Sequence, residues 1–165
     1  LQRRRQRQMC IRDRYWGVYE IREKVDDHDF TDHYYDQQKD SIQFLKTWGG
    51  TWVEYGGPQA QTDWDNLKNY ILSNPMNNAA NYTTVKSQFN TGSLIDYFLL
   101  NSYVVCADWL NWNTAWWRGM AQTGEKKKWR YTLWDMDNTF DHGTNYTGIP
   151  TQSVNADPCL SLIHI

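Results

Sequence analysis

The sequence has few of the features that indicate a zinc site, a membrane span or a phosphate-binding loop. It contains three cysteines among 165 residues, and none of them has the CxxC spacing that is typical of zinc sites. No apolar run approaches the roughly 18 residues that a membrane-spanning helix needs, and the mean hydropathy is −0.82. There is no glycine-rich phosphate loop. Aromatic residues are abundant instead, with ten Trp and eleven Tyr, so amphipathic rings are expected to provide much of the hydrophobic contact.

Both ends of the sequence are expected to be translated sequencing adapter. Residues 9–14 (MCIRDR) can be encoded by ATG-TGT-ATA-AGA-GAC-AG, and residues 160–165 (LSLIHI) can be encoded by the reverse complement of that string. We therefore leave residues 1–14 and 160–165 out of the fold prediction. Residues 15–159 are expected to be part of one domain of a protein that continues in both directions.

Without these ends the chain is acidic. Removing six arginines and Asp13 changes the formal charge from −2 to about −7, so nonspecific binding to nucleic acid is not expected. The N-terminal arginine run would otherwise favour a nucleic-acid or membrane arm. Cys10 is also removed, and the remaining Cys106 and Cys159 leave open both a disulfide between them and two free thiols.

The hydrophobic pattern predicts an α+β domain, because segments of period two alternate with segments of helical period and neither repeats nor a linker divide the chain. The predicted elements, in chain order, are a strand (15–25), a short helix (27–36), a hairpin (41–47 and 51–55), two helices (63–73 and 84–89), a core helix from Thr91 or Ser93 to residue 107, and two strands (111–120 and 128–134) joined by a turn (123–126). The apolar residues of the core helix predict one wide buried stripe: Leu94, Ile95, Phe98, Leu99, Tyr103 and Cys106.

The first chemical pattern follows the core helix. Asp108 and Asn113 have the D-x-x-x-x-N spacing of a kinase catalytic loop, in which the Asp accepts or orients the substrate hydroxyl and the Asn holds a metal ion. The spacing alone has little specificity, since Asp and Asn are frequent in this chain and also suit a helix-terminating turn.

The second chemical pattern ends the last predicted strand. Alternate residues of an extended segment point to the same side, so Asp135 and Asp137 can both face one cation. Clustered carboxylates repel and desolvate each other, and a bound Mg²⁺ or Ca²⁺ relieves both costs. A hydrogen-bonded pair of aspartates in a turn is the structural alternative.

Four segments together give the chain a resemblance to a known family. Residues 15–19 (YWGVY), followed by Glu23 and Asp26, look like the Y-x-G-x-Y…E…D opening of the spore coat protein H (CotH) kinases, and residues 41–46 look like the strand that follows it. Residues 108–119 (DWLNWNTAWWRG) and 129–140 (WRYTLWDMDNTF) resemble the two signature blocks of the family, the second being its W-D-x-D segment.

The resemblance implies a fragment of an atypical protein-kinase-like fold, with antiparallel strands packed against three or more helices. It implies transfer of the ATP γ-phosphate to Ser or Thr of secreted or coat proteins, with Mg²⁺, Mn²⁺ or Ca²⁺ as the metal and an extracellular or cell-surface location. The expected partner is a protein with Ser or Thr acceptors.

The resemblance also assigns roles by position. Asp108 matches the catalytic-loop acid, and Asn113 matches the metal-binding Asn, although Asn111 competes for that role. Asp135 matches the first metal-binding carboxylate, with Asp137 as a second candidate for the metal.

Two nucleotide-binding residues are implied in the N-terminal half. Lys46 matches the lysine that contacts the nucleotide phosphates, and Glu23 matches the residue that orients it. A solvent-facing strand lysine is the alternative for Lys46. The chain departs from the family at Asp141, where many members have Gly.

Two other functions stay open. Residues 135–140 (DMDNTF) fit the D-x-D-x-T motif of haloacid dehalogenase-type phosphatases, in which the first Asp is a nucleophile and the second a general acid. Those enzymes carry the motif early in the chain, whereas few residues follow it here. The many Trp residues also suit a non-catalytic surface adhesin or glycan-binding module of the same fold.

Overall fold

The computed structural model describes residues 5–11, 14–21, 25, 27–38, 40–106, 112–120, 124–136 and 139–140. In these ranges the strands are β1 (Arg5–Ile11), β2 (Arg14–Ile21), β3 (Ile42–Thr47), β4 (Thr51–Tyr55), β5 (Thr114–Gly119) and β6 (Arg130–Leu133). The helices are α1 (His33–Tyr35), α2 (Gly57–Ser73), α3 (Ala79–Gln88) and α4 (Thr91–Tyr103), with a π-helical turn (Asp27–Asp32) before α1 and a 3-10 turn (Gly124–Lys127) between β5 and β6. None of these helices combines the length and apolar character that a membrane crossing requires.

The strands form two antiparallel sheets. One sheet is the β1–β2 pair, and the other has the strand order β4-β3-β5-β6. The prediction of an α+β domain with antiparallel strands and three or more helices is therefore confirmed. β1 lies within residues 1–14, whose assignment to adapter stays a prediction, and residues 160–165 lie outside the described ranges.

Both faces of the four-stranded sheet are covered, which explains why all six residues of β3 are buried. One face packs against α2, α3 and α4 around large buried side chains that include Leu45, Trp64 and Trp116. The other face, with Phe44 and Trp117 at its centre, packs against aromatic residues of the π-helical turn and α1. The polar residues Gln43 and Lys46 of this strand are buried with side-chain partners on α2 and β4.

The predicted helices α2 and α3 exist, but both begin earlier than predicted. In α2 the spacing of Trp64, Leu67 and Ile71 is confirmed as the buried face, and the helix starts at Gly57 after a left-handed Gly56 with a φ of 96°. α3 starts at Ala79 because the side chain of Asn78 accepts a hydrogen bond from a backbone N–H in its first turn. Sequence analysis had not identified Asn78 as this cap.

The prediction of one wide buried stripe on α4 is only half confirmed: Leu94, Phe98 and Cys106 lie in or against the core, and the other three residues are exposed. Ile95, Leu99 and Tyr103 have exposed fractions of 56%, 64% and 80%. The face that packs on the sheet contains Tyr97 and Asn101 instead, and both side chains are buried and hydrogen-bonded. Polar groups with partners can occupy a buried helix face, so counting apolar residues alone overestimated the width of the stripe.

Candidate functional site

The structure describes three of the six predicted site residues: Lys46, Asn113 and Asp135. The other three, together with the competing Asn, lie outside the described residues: Glu23, Asp108, Asn111 and Asp137.

The described site residues lie at one end of three adjacent strands. β5 begins where β3 and β6 end, because Thr114 pairs with Thr47 on one side and with Leu133 on the other. Relative to these positions, Lys46 is one residue before the end of β3, Asn113 immediately precedes β5, and Asp135 is the second residue after β6. The sheet therefore brings together residues that are up to 89 positions apart in the chain.

Asn113 and Asp135 share an uncommon backbone conformation. Their φ angles are 54° and 52°, in the left-handed region. Asn and Asp are the non-glycine side chains that adopt this region most readily. Asn113 is buried, whereas Asp135 is exposed. The chain bends at Asn113, and the Asp135 carboxylate remains accessible from solvent.

A hydrogen-bond chain links α4 to the start of β5. The hydroxyl of Thr114 donates to the carbonyl of Trp112 at 3.3 Å, so the Tyr97 hydroxyl is the donor in the 3.0 Å bond between Tyr97 and Thr114. Asn113 lies between Trp112 and Thr114 in the chain. The core helix therefore fixes the backbone on both sides of this predicted metal ligand.

A backbone hydrogen bond joins the two segments that carry the predicted acids. The N–H of Phe140 donates to the carbonyl of Val104 at 2.6 Å. Val104 is four residues before Asp108, and Phe140 is three residues after Asp137. Val105 has a φ of 52°, which is unusual for a β-branched residue and is found most often where the surrounding structure has a function that requires it.

Lys46 is buried at this end of the sheet, and the alternative that it faces solvent is wrong. The exposed fraction of its side chain is 7%, and its Nζ atom lies 3.4 Å from Oε1 of Glu54. The same Nζ atom is 5.1 Å from the ring centroid of Trp134 and 5.4 Å from that of Phe44. One carboxylate and two aromatic rings thus compensate the charge of the buried ammonium.

Sequence reasoning did not find the immediate environment of Lys46. Glu54 belongs to β4, and Trp52 Nε1 donates a hydrogen bond to its Oε2 atom at 2.9 Å. Trp134 directly precedes Asp135 and lies against Trp52, with 6.1 Å between ring centroids. The position of Trp134 next to a predicted metal ligand was a usable signal, whereas nothing in the sequence indicated that Glu54 would reach Lys46.

A second charged network stabilises the opposite face of the sheet. Arg118 of β5 forms an ion pair with Asp63 of α2 at 2.6 Å, and Gln43 and Gln59 both donate hydrogen bonds to the same carboxylate. Burial alone would raise the pKa of Asp63, but the hydrogen bonds and the charge of Arg118 outweigh it and hold that pKa below its ordinary value. This network connects a helix to the sheet and lies on the face away from Lys46.

The described residues offer two oxygen donors for a divalent cation. Asn113 supplies a carboxamide and Asp135 a carboxylate at the same sheet end, and both are ligand types that Mg²⁺ and Ca²⁺ prefer. In the part of the chain that the structure describes, no group of three or more His, Cys, Asp or Glu side chains could hold a metal ion.

Comparison with known proteins identifies the family. The family model described as CotH kinase protein matches residues 2–159, which is nearly the whole chain. No curated protein and no solved structure matches the chain. The matched range includes both segments that resemble the signature blocks of the family, residues 108–119 and 129–140. The chain belongs to the CotH kinase protein family.

Proposed function

We propose that the chain is part of an ATP-dependent protein kinase that transfers the γ-phosphate to Ser or Thr residues of secreted or surface proteins. Membership of the CotH kinase family supports a kinase-like activity. The observation that carries the proposal is the location of a buried lysine, a carboxamide and a carboxylate at the same end of the sheet: Lys46, Asn113 and Asp135.

The chemistry of phosphoryl transfer suits these side chains. It requires charge neutralisation and in-line positioning more than covalent chemistry by the protein. The Lys46 ammonium would contact nucleotide phosphates, Asn113 and Asp135 would hold the metal, and Asp108 would orient the acceptor hydroxyl. A bound Mg²⁺, Mn²⁺ or Ca²⁺ would neutralise charge that develops on the phosphate oxygens.

The proposed location is extracellular or at the cell surface, and the proposed partner is a protein that presents Ser or Thr acceptors. A second candidate is a non-catalytic adhesin or glycan-binding module of the same fold. The exposed aromatic pair Trp48 and Trp112 favours it, because the rings lie 5.0 Å apart with exposed fractions of 62% and 36% next to the site, and exposed aromatic rings commonly bind ligands.

Transfer of labelled phosphate from ATP, to the chain itself or to added protein, tests the proposal. Wild type and Asp36→Asn should incorporate label in the presence of divalent metal, and Asp108→Asn and Asp135→Asn should incorporate at least about 100-fold less. Asp36 is the matched control because it is exposed and shares the left-handed conformation of Asp135, with a φ of 51°.

Two alternative results would contradict the kinase proposal. Metal-independent glycan binding that survives Asp108→Asn, without any incorporation by the wild type, would support the adhesin. Trapping of an aspartyl-phosphate analogue at Asp135 with beryllium fluoride would support the phosphatase chemistry of the D-x-D-x-T motif.

A further inference from the structure

We propose that Glu54 is a positioning residue that holds the Lys46 ammonium for contact with the nucleotide phosphates. This inference rests on the proposed kinase function and gives the orienting role to a residue of the neighbouring strand. The family resemblance placed that role on Glu23, which lies outside the described residues. The contact that carries the inference is the 3.4 Å ion pair between Lys46 and Glu54.

Ordinary strand alternation places Glu54 on the same face as Trp52 and Lys46, and a β-bulge in β4 brings the next residue to that face as well. Leu45 pairs with Val53, but the next pair along is Phe44 with Tyr55, so Glu54 is an extra residue between two paired positions. In a regular strand, side chains alternate between the two faces of the sheet. At a bulge two successive residues of one strand oppose a single residue of its neighbour, and a side chain is re-aimed.

The bulge lets two consecutive residues of β4 serve the same face. Tyr55 packs edge-on against Phe44, with 6.3 Å between ring centroids, while Glu54 reaches Lys46 on that face. Val53 packs into the core on the helical face. Without the extra residue, β4 could not direct both the ring of Tyr55 and the carboxylate of Glu54 towards the face that carries Lys46.

The Glu54 carboxylate is itself held in place. One of its oxygens faces Lys46, and the other accepts the hydrogen bond from Trp52 Nε1. The exposed fractions of the Lys46 and Glu54 side chains are 7% and 27%, so the attraction between them is less screened than in an exposed pair. A lysine side chain that is already held by a fixed carboxylate loses less conformational entropy when its ammonium contacts a phosphate.

The same cluster connects the lysine to the metal-binding segment. The Trp134 ring lies against both the Lys46 ammonium and the ring of Trp52, and Asp135 is the next residue in the chain. Lys46, Glu54, Trp52 and Trp134 therefore form one packed unit, which we call the lysine cluster. The lysine cluster thus sets the position of the Lys46 ammonium relative to Trp134, where the segment that carries Asp135 begins.

A double-mutant cycle on MgATP affinity tests the role of Glu54 in the full-length chain. Glu54→Gln should weaken MgATP binding on the order of 10-fold, and the same change in a Lys46→Met background should have no further effect, because Glu54 acts through Lys46. Glu125→Gln is the matched control, since Glu125 is exposed and pairs with Lys128 at the opposite end of β6. It should bind MgATP as the wild type does.

Acylation of lysine amines gives a readout that does not depend on nucleotide. Trace acetylation followed by mass spectrometry should label Lys46 several-fold faster in Glu54→Gln than in wild type, with the exposed Lys86 as the internal reference. Trp52→Phe keeps the carboxylate and removes only its hydrogen-bond donor. It should shift labelling and affinity in the same direction by a smaller factor, so the test does not depend on the folding of a single variant.

The outcomes separate this inference from the kinase proposal. Two results with a wild type that binds MgATP would overturn only this inference. In the first, Glu54→Gln binds MgATP as tightly as the wild type does. In the second, Glu54→Gln weakens MgATP binding as much in the Lys46→Met background as in the wild-type background, so Glu54 does not act through Lys46. If the wild type does not bind MgATP at all, the kinase proposal fails and the positioning role fails with it, even where labelling still detects the ion pair.

Discussion

Lys46 is a buried charge whose retention indicates a functional role. Burying an ammonium is unfavourable unless it is paired, and replacing such a pair with apolar side chains is often neutral or stabilising. Lys46 is nonetheless held by Glu54 and by the rings of Phe44 and Trp134. A charge retained at this cost, at the sheet end that also carries Asn113, is more readily explained by a functional role than by stability.

Asp63 makes the opposite contribution, because its charge stabilises the fold. Its pKa in the folded chain lies below the ordinary value, so the stabilisation is fully present above the pKa of the unfolded chain and is lost as the pH falls through the folded pKa. The free energy of unfolding should therefore decrease below about pH 4. Urea denaturation across pH 2.5–7 measures it, and Asp63→Asn should be less stable at neutral pH and show a flatter profile.

Asp65→Asn is the control for this pH dependence. Asp65 lies on the same helix and forms a half-exposed ion pair with Lys68 one turn away, which is expected to contribute little. An identical pH profile in the Asp63 and Asp65 variants would mean that the Arg118 network does not produce the acid sensitivity.

At the scale of elements, two leucines of α4 test which face of this helix packs against the core. Leu94 and Leu99 have the same side chain, but their exposed fractions are 9% and 64%. Leu94→Ala should lower the free energy of unfolding by about 2–5 kcal/mol through lost contacts and a cavity. Leu99→Ala should change it by no more than about 0.5 kcal/mol. Chemical denaturation of both variants measures the difference, and equal losses would mean that another surface covers Leu99 in solution.

The elements that sequence reasoning predicted best are those whose pattern is local. The β3–β4 hairpin is confirmed because its two apolar segments flank the adjacent glycines Gly49 and Gly50. The strands β5 and β6 were found, but the predicted ranges extend two or three residues too far at their starts and one residue too far at their ends. The buried face of α4 was misjudged because two polar side chains are buried with hydrogen bonds: Tyr97 bonds to Thr114 of β5, and Asn101 donates to the Tyr97 carbonyl within the helix.

The same distinction holds for the site. Asn113 and Asp135 were selected by motif spacing and by the family resemblance, and β-strand pairing places both at one sheet end, while their role as metal ligands stays a prediction. The contact of Glu54 with Lys46 could not be predicted, since it depends on the register of β3 and β4, in which Lys46 pairs with Trp52. A shift of one residue exchanges the two faces of a strand, so a sequence pattern alone cannot assign such a contact.

At the scale of the whole molecule, binding of nucleotide and metal should increase the free energy of unfolding. A ligand that binds only the folded chain raises the free energy of unfolding, by about 2.7 kcal/mol at a concentration of 100 times its dissociation constant. MgATP should therefore raise the unfolding midpoint of the wild type, and ATP with a chelator should raise it much less. Differential scanning fluorimetry measures both. Asp135→Asn should lose the response to MgATP, because it removes a charged oxygen ligand.

The control variants make the assignment of the metal ligand specific. Asn tolerates the left-handed backbone of position 135 better than Ala does, so Asp135→Asn changes the charge with little added strain, and Asp36→Asn makes the same change at an equally left-handed, exposed position. Asp36→Asn should respond to MgATP as the wild type does. A full response in Asp135→Asn would show that Asp135 is not the essential ligand. The metal would then depend on the next carboxylate of the segment, Asp137, and Asp137→Asn should abolish the response instead.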